Sequence, residues 1–361
     1  MIQKLKVAVI FGGRSAEHEV SIQSARNIVR ALDPEKYEVQ AIGIAKSGEW
    51  YKVKTESLLR ADKPTISLAD IEKESDALAF RFGGVGDSEN IFPKVDVAFA
   101  ILHGPFGEDG TVQGLLKLAD IPFVGPSVLG SAVGMDKDVM KHILRDAGIP
   151  IGKFITLAPG SDKMRYGEVV EKIGSPFFMK PANMGSSVGV HKIKDEPGYE
   201  TALKDAFQYD RKIVLEEFIP GREIECSVLG NENPIASVPG EVVARHEFYS
   251  YEAKYLDENG ADLKIPAILP EDVVKKVQGL AIRTFKALNC EGLGRVDCFL
   301  KENGEVLVNE INTLPGFTNI SMYPKLWEAS GMPYGELIDR LIQLALDRFR
   351  EEKKLKVSYL K

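Results

Sequence analysis

Four polar side chains near residue 300 are spaced so that they would share one face of a β-hairpin. The dipeptide Asn303-Gly304 stands between two apolar-rich segments, which favours a hairpin with a two-residue type I′ turn. Such a turn makes Glu302 face Glu305, and counting back along both strands gives two further cross-strand pairs on one face. These pairs are Asp297 with Glu310 and Arg295 with Asn312.

Two carboxylates that oppose each other on a sheet repel, so the pattern predicts a cation between Asp297 and Glu310. Oxygen ligands from these two residues and Asn312 suit a hard ion, and Mg²⁺ held by few carboxylates usually completes its shell with phosphate oxygens. Arg295 beside such an ion could stabilise a transferring phosphoryl group. The alternative is a solvated face on which Arg295 only neutralises the two acids. The four residues together favour a nucleotide-bound metal.

A second candidate is the segment KPANMGSSVGV, which begins at Lys180. Lys180 ends an apolar strand, where a buried ammonium needs an anionic partner. The lysine precedes the glycines, so the segment does not match the common phosphate loop GxxxxGK[ST]. Its backbone N–H groups and hydroxyls could still hold a phosphate, although a plain hairpin turn is the alternative. The residues that would supply them are Gly185, Ser186, Ser187 and Gly189.

The remaining candidates each have a structural explanation that is equally strong when they are taken singly. Acids beside the apolar strand of IVLEEFIPGRE could bind ribose hydroxyls and an adenine amino group, and the neighbouring apolar residues could wall the base or simply pack in the core. An acid in a first helical turn is also common for dipole reasons, and a lone histidine is more often structural. These candidates are Lys137, Glu216, Phe218, Ile219 and Glu223 for a nucleotide, and Glu17 and His103 for a substrate.

The elements that must position these residues fall into two classes. Up to about residue 150, buried-strand patterns alternate with helical patterns, which predicts an α/β domain with a parallel sheet. From about Phe154 short strands predominate, which predicts an α+β module. The segment 240–267 has no clear period and is predicted to be a functional loop or disordered.

Composition narrows the function further. The 361 residues allow two or three domains, and a net charge of -7 argues against a nucleic-acid partner. The three cysteines lack CxxC spacing, which argues against disulfides, structural zinc and redox chemistry and fits a reducing cytoplasm. No apolar run approaches the ~18 residues of a membrane span, so we expect no membrane partner.

Taken together, KPANMGSSVGV, LEEFIPGREIE, GLGRVDCFL and NEINTLPGFTNISMYP resemble the ATP-grasp enzymes. With FGGRSAEHEVS, LHGPFGEDG and YEAKY the resemblance is to the D-alanine–D-alanine ligase family, in family order over nearly the whole chain. It implies a Rossmann-like N-terminal domain followed by a two-part ATP-grasp fold. The implied parts are residues 1–130, a central subdomain 131–228, and a C-terminal subdomain 229–361 with a lid loop at about 244–264.

The resemblance also implies a reaction. ATP would phosphorylate the carboxylate of one D-alanine, and the amine of a second D-alanine would attack the acylphosphate to give the dipeptide used in peptidoglycan synthesis. The implied cofactors are ATP and Mg²⁺ or Mn²⁺, with two ions, and the implied assembly is a homodimer. Alternatives are a D-alanine–D-lactate ligase, another ATP-grasp amino-acid ligase, and a nucleotide-binding regulator without turnover. Related D-lactate enzymes carry a histidine where this chain has Lys254-Tyr255, which favours the amine.

Each candidate residue matches a position with a role in that family. Phe218 stands where relatives often have tryptophan, so the wall for the base is kept. Ser186 and Tyr255 would hydrogen-bond with Glu17 to close the site over the acylphosphate, which water would otherwise hydrolyse. The nucleotide positions are Lys137, Lys180, Ser187, Glu216, Phe218, Ile219 and Glu223, and the metal positions are Asp297, Glu310 and Asn312. The catalytic positions are Glu17, Ser186, Tyr255 and Arg295, and the substrate positions are Glu17, His103, Lys254, Tyr255, Arg295, Gly316 and Ser321.

Overall fold

In a computed structural model of the protein, the described residues form three sheets that follow one another along the chain. The structure describes residues 3–60, 76–78, 93–158, 164–244, 261–356 and 358. The first sheet has a parallel core with antiparallel strands at one edge, and the other two sheets are antiparallel, so the predicted change from α/β to α+β is confirmed.

The N-terminal sheet has the strand order β4-β3-β2-β1-β5. Its central strand β1 runs parallel to β2 and β5, whereas β3 and β4 extend the edge in antiparallel fashion. Successive side chains of β1 enter different cores, with Val7 and Val9 on one face and Ala8 and Ile10 on the other. A strand buried on both faces reads as a continuous apolar run, which is why the sequence predicted it. The strands are β1 (Leu5–Gly12), β2 (Tyr37–Ile44), β3 (Trp50–Val53), β4 (Asp76–Leu78) and β5 (Val97–Ala100).

Among the described residues, four helices accompany this sheet and lead out of it. The first begins at His18, beyond the Gly-Gly turn that ends β1, as predicted. These helices are α1 (His18–Ala31), α2 (Thr55–Arg60), α3 (Thr111–Leu118) and α4 (Val128–Met135).

The central part is a four-stranded antiparallel sheet of order β6-β9-β7-β8 with helices packed on it. Its entry helix α5 begins after Asp136, whose carboxylate accepts hydrogen bonds from the backbone N–H groups of Asp138 and Val139 and so caps the helix. The elements are α5 (Lys137–Asp146), β6 (Phe154–Leu157), α6 (Tyr166–Ile173), β7 (Phe177–Pro181), β8 (His191–Ile193), α7 (Glu196–Ala206) and β9 (Ile213–Glu217).

The C-terminal sheet has the order β13-β12-β10-β14-β15, with β11 also paired to β10. Helix α8 covers one face, where its Val277 and Phe285 share a core with Cys226 and Val296. The elements are β10 (Arg222–Gly230), β11 (Ile235–Ala236), β12 (Gly240–Ala244), β13 (Ala261–Lys264), α8 (Glu271–Ala287), β14 (Gly292–Leu300), β15 (Val306–Asn312), α9 (Met322–Ala329) and α10 (Tyr334–Lys353).

Two predicted boundaries can be located on these elements. The proposed division at residue 228 falls inside β10, whose residues pair with β14, so the sheets favour a division between β9 and β10. The predicted lid, about 244–264, begins where β12 ends and includes β13, which pairs with it. Residues 245–260, and with them Lys254 and Tyr255, lie outside the described residues.

The hairpin β14–β15 differs from the prediction in its turn. Lys301 N–H donates to the Glu305 carbonyl at 2.9 Å, so the loop has three residues and Glu302 does not face Glu305. The glycine of the turn, Gly304, has φ 79, which suits the left-handed last position of a three-residue loop. The predicted two-residue type I′ turn is therefore wrong.

With a three-residue loop, uninterrupted pairing would place Asp297 opposite Asn309. A β-bulge between Asp297 and Cys298 restores the predicted register. Cys298 pairs with Val308, and Asp297 pairs with Glu310, which leaves Asn309 as the extra residue of the bulge. The predicted pairs, Asp297 with Glu310 and Arg295 with Asn312, are thus confirmed through two compensating irregularities.

Candidate active site

The acidic face of the hairpin is balanced by cations. Arg295 Nε lies 2.7 Å from Asp297 Oδ1 and Nη2 lies 2.8 Å from Oδ2, a bidentate pair. Asn312 Nδ2 donates to the same carboxylate at 2.8 Å. Across the hairpin, Glu310 Oε2 lies 3.6 Å from Lys137 Nζ. Within the described ranges no cluster of three or more His, Cys, Asp or Glu residues is disposed to hold a metal. The predicted oxygen donors on the hairpin are the carboxylates of Asp297 and Glu310 and the amide of Asn312.

A third carboxylate joins this face from the neighbouring strand. Glu225 Oε2 lies 2.9 Å from Arg295 Nε, and Glu225 stands opposite Asp297 in the β10–β14 ladder. The sequence analysis did not select Glu225. The signal was present, because Glu223 and Glu225 are two residues apart in a strand and therefore point to one face.

A buried cluster of two lysines and one glutamate lies beside the hairpin. Lys180 Nζ is 2.9 Å from Glu216 Oε2, and Lys141 Nζ is 3.3 Å from Glu216 Oε1. Burial alone would raise the pKa of Glu216, but the two ammonium groups outweigh it and lower that pKa. Burial would likewise lower the pKa of Lys180, and the carboxylates of Glu216 and Glu310 outweigh it and raise that pKa. Glu216 is therefore held as a carboxylate at neutral pH.

The sequence analysis missed Lys141, whose side chain is 2% exposed. Burial lowers the pKa of Lys141, and Glu216 partly offsets this effect. A helical signal could have found it, because Lys137 and Lys141 are four residues apart and so lie on one face of α5.

The glycine-rich segment forms the connection between β7 and β8. Ser186 and Ser187 have φ angles of 52 and 61, in the left-handed region that non-glycine residues rarely adopt. Backbone at such angles can turn neighbouring N–H groups toward one anion. Lys137 Nζ donates to the Met184 carbonyl at 2.8 Å, which ties helix α5 to this loop.

A separate group near the end of β1 holds the residues predicted for a substrate. Glu17 directly precedes α1 and makes no capping hydrogen bond with its side chain. A Cβ atom added to Gly185 would lie 3.3 Å from Glu17 Oε2, so the glycine-rich loop closely approaches this carboxylate. His103 Nδ1 lies 3.0 Å from the Leu314 carbonyl, and its buried Nε2 has no hydrogen-bonding partner among the described residues. Burial lowers the pKa of His103, with Glu17 partly offsetting the effect.

The sequence analysis also missed Glu108, which belongs to the same group. Its carboxylate accepts hydrogen bonds from the backbone N–H of Gly104 at 2.7 Å and of Leu314 at 3.1 Å. Burial, together with the neighbouring Glu17 carboxylate, raises the pKa of Glu108 to about 8. No local pattern distinguishes this residue, because its carboxylate is partly buried against a residue 206 positions away in sequence.

Two further predicted positions follow β15. Ser321 Oγ accepts a hydrogen bond from the Thr318 backbone N–H at 2.9 Å and stands at the N-cap of α9. A Cβ atom added to Gly316 would lie 2.8 Å from Ser321 Oγ. The two residues are therefore in contact, and only a glycine fits at 316 without displacing the hydroxyl.

The aromatic candidate for the base is not part of a core. Phe218 is 39% exposed, with the Phe178 ring 6.2 Å away and Lys192 Nζ 4.6 Å above its own ring. Its neighbour Ile219 packs close to Gly152, where an added Cβ would lie 2.8 Å from Ile219 Cδ1. Core packing therefore does not account for Phe218, whereas Ile219 is partly buried against Gly152.

One cavity of about 810 Å³ brings these groups together. It is lined by every described residue to which the family resemblance gave a role, and by Gly185, Glu108 and Glu225, whereas Gly189 of the glycine-rich loop does not line it. The predicted residues are Glu17, His103, Lys137, Lys180, Ser186, Ser187, Glu216, Phe218, Ile219, Glu223, Arg295, Asp297, Glu310, Asn312, Gly316 and Ser321. Residues from all three sheets and from their connecting loops thus converge on one site that combines ammonium groups, carboxylates and a glycine-rich turn.

Comparisons with known proteins agree over both halves of the chain. Residues 6–126 match the family model described as D-ala D-ala ligase N-terminus, and residues 143–343 match D-ala D-ala ligase C-terminus. The D-alanine–D-alanine ligase of Oceanobacillus iheyensis is 52% identical over 98% of this chain and 99% of its own. D-alanine–D-alanine ligase A of Escherichia coli K12 is 48% identical over 99% and 100%.

Solved structures give the same result. The D-alanine–D-alanine ligase of Coxiella burnetii has a TM-score of 0.85 and 42% identity, covering 97% of this chain and 98% of its own. The D-Ala:D-Ser ligase VanG of Enterococcus faecalis has a TM-score of 0.84 and 33% identity, covering 95% and 100%. Sequence and structure therefore agree that the chain belongs to the D-alanine–D-alanine ligase family, with its ATP-grasp fold.

Proposed function

We propose that this chain joins two D-alanine molecules to D-alanyl-D-alanine for peptidoglycan synthesis, with ATP converted to ADP and phosphate. The observation that carries the proposal is the single cavity in which the hairpin carboxylates, the lysine–glutamate cluster and the glycine-rich loop meet the Glu17 group. A site for phosphoryl transfer to an amino acid needs cationic groups for the phosphates and an anionic group for the substrate ammonium, and this cavity has both.

The nucleotide would lie against the lysine–glutamate cluster. Lys137, Lys180 and the Ser186–Ser187 turn supply positive charge and N–H groups for the phosphates, as expected of a nest beside lysines. Glu216 and Glu223 offer carboxylates to the base and the ribose, and the exposed ring of Phe218 offers a stacking face. A structure of the Bacillus anthracis ligase, 29% identical with a TM-score of 0.72, is described as complexed with ATP, which supports ATP as the nucleotide.

The hairpin suits Mg²⁺ or Mn²⁺. Asp297 and Glu310 are paired across the strands, and their carboxylates with the amide oxygen of Asn312 would give an oxygen-only set, which hard divalent ions prefer. We propose two ions, whose shells would be completed by nucleotide phosphates. When bound, the metal would neutralise phosphate charge during transfer. Arg295, held between Glu225 and Asp297, is in place to stabilise the transferring phosphoryl group.

The amino-acid end follows from charge and burial. Glu17 is 8% exposed and faces the cavity, so it can hold the ammonium of the first D-alanine. Gly316 and Ser321 would bind the second D-alanine, whose amine attacks the acylphosphate of the first. Ser186 and Tyr255 would close the site with Glu17, and Lys254 and His103 complete the proposed substrate contacts. This part of the proposal includes a lid whose residues 245–260 lie outside the described structure.

We further propose that the protein acts in the cytoplasm as a homodimer. The location is supported by the use of ATP and by the three cysteines, which are buried and free. Among the helices of the described ranges, none is both long and apolar enough to cross a membrane. The proposed division into three parts follows the three sheets, with the second boundary between β9 and β10.

A phosphate-release assay with product identification tests the reaction. Incubation with ATP, Mg²⁺ and D-alanine should release phosphate and give the dipeptide by mass spectrometry, whereas L-alanine should give neither. D-lactate and D-serine added as competing second substrates separate the alternatives, because a depsipeptide or a mixed dipeptide as the main product would replace the proposed one. Nucleotide binding without phosphate release with any amino acid would instead support the regulator.

A further inference from the structure

Lys141 is a buried lysine that the proposed reaction leaves without a role. Its ammonium contacts two groups from two different sheets: the Glu216 carboxylate on β9 at 3.3 Å, and the Asn309 backbone carbonyl on β15 at 3.3 Å. It does not line the cavity. Packing alone does not account for it, because a methionine of similar length would fill the space without the cost of burying an ammonium.

The first contact concerns the residue that faces the nucleotide. Glu216 Oε2 accepts a hydrogen bond from Lys180, whereas Oε1 is buried without a hydrogen bond and has only the nearby charge of Lys141. Without Lys141, Glu216 Oε1 would be a buried carboxylate oxygen with no cation beside it. This costs free energy unless the carboxyl group of Glu216 rotates or binds a proton. Either response would move Lys180 with it.

The second contact concerns the bulge. A bulge leaves its extra residue outside the ladder, so that residue's backbone groups need other partners. Asn309 is that residue, and its carbonyl accepts from Lys141 while its side-chain Oδ1 accepts from Lys180 at 3.4 Å. The same bulge sets Glu310 opposite Asp297.

We propose that Lys141 is a positioning residue for nucleotide binding, which fixes Glu216 on one side and the Asn309 bulge on the other from a single buried ammonium. This inference rests on the proposed function. It assigns to Lys141 no contact with the nucleotide. Its effect passes through Glu216 and Lys180, which line the cavity, and through the register of the hairpin.

The test is the affinity of purified Lys141→Met for ADP with Mg²⁺, measured by calorimetry at a temperature where circular dichroism shows the variant folded. The dissociation constant should rise about tenfold or more, the scale of losing one charge-assisted contact. KM for ATP should rise in parallel, whereas KM for D-alanine should stay within about twofold. An unchanged ADP affinity in the folded variant would overturn the proposal.

Lys212→Met is the matched control. Lys212 likewise bridges two acceptors, the carboxylates of Asp136 at 2.8 Å and Asp138 at 3.0 Å, beside the start of the same helix, and like Lys141 it does not line the cavity. It should lose stability and keep ADP affinity. An equal loss of ADP affinity in this control would show a general effect of disturbing α5 and overturn the assignment.

Lys141→Gln is the second variant, because it keeps an N–H donor for the Asn309 carbonyl and removes the charge. It should bind ADP more weakly than wild type and more tightly than Lys141→Met. Failure of both variants to fold would assign Lys141 to the core and overturn the proposal. Failure of the wild-type protein to bind ADP would instead contradict the proposed function, so the two outcomes are distinct.

Discussion

Two acidic centres of the cavity differ in how their negative charge is balanced. On the hairpin, Arg295 and Lys137 lie beside the carboxylates of Asp297 and Glu310. Around Glu17 and Glu108, burial raises the pKa of Glu108 to about 8, so a proton balances the charge there. The first centre is ready for an anionic ligand that brings its own cations, and the second is suited to a cationic one. Neighbouring groups can therefore make similar carboxylates suitable for ligands of opposite charge.

The largest expected effect is at the hairpin. Arg295→Ala should lower kcat on the order of 10²-fold or more, the usual result of losing one preorganised charge, with ATP binding largely kept. Steady-state kinetics with D-alanine measure this. Arg222→Ala is the matched control, because Arg222 makes a bidentate pair with Glu241 at 2.8 Å on the same sheet outside the cavity. Unchanged turnover in Arg295→Ala would remove this residue from the chemistry.

The next effect is at the second centre and depends on pH. Because the pKa of Glu108 in the folded protein is raised to about 8, the unfolded chain loses its proton first as pH rises. The free energy of unfolding should therefore fall between about pH 4.5 and pH 8, by an amount on the order of a few kcal/mol, and level off above. Glu108→Gln should flatten this slope in urea titrations. A variant with the wild-type slope would contradict the proton-balanced state.

A smaller effect should follow from removing one of the carboxylates that hold the guanidinium group of Arg295. Glu225→Gln removes one of the two carboxylates that hold Arg295, and Asp297 remains. We expect kcat to fall roughly tenfold, less than for Arg295→Ala, since one charge-assisted contact is lost and the cation stays. Glu241→Gln, which disturbs the Arg222 pair, serves as the control. If both variants have equal activity, Glu225 has no special part in placing Arg295.

The smallest effect concerns the turn that sets the hairpin. Gly304 has φ 79, and an added Cβ would meet nothing within 4 Å, so Gly304→Ala changes backbone strain alone. The free energy of unfolding should fall by about 1 kcal/mol, the cost of a left-handed alanine, while kcat stays unchanged because the bulge still sets the acidic pairs. A large loss of activity would mean that the turn, and not the bulge, controls the register.

Sequence reasoning succeeded where the signal was local. A strand covered on both faces gives a continuous apolar run, so the parallel core around β1 could be predicted. The acidic pairs of the hairpin were predicted correctly although its turn was not, because the three-residue loop and the bulge at Asn309 each shift the count by one. A bulge leaves no clear mark in the sequence.

Two of the residues that were missed owe their surroundings to contacts between distant segments. Glu108 is partly buried where it bonds to Leu314, and Lys141 is buried where it reaches Glu216 and Asn309. Neither burial can be counted from spacing within one element. The spacing of charged residues in the sequence shows which side chains share a face. The packing of other elements decides which of these side chains is buried from solvent.

The last helix has a consequence for dissecting the molecule. Helix α10 follows the C-terminal sheet in the chain, yet its Leu337 and Leu341 share a core with Val7 and Val9 of β1, and Arg348 donates to the carbonyls of Phe123 and Gly125. A fragment ending near residue 130 would expose that apolar surface and should not fold by itself. Removing helix α10 from the carboxyl end should therefore destabilise the N-terminal sheet first. The two ends of the chain depend on each other for folding.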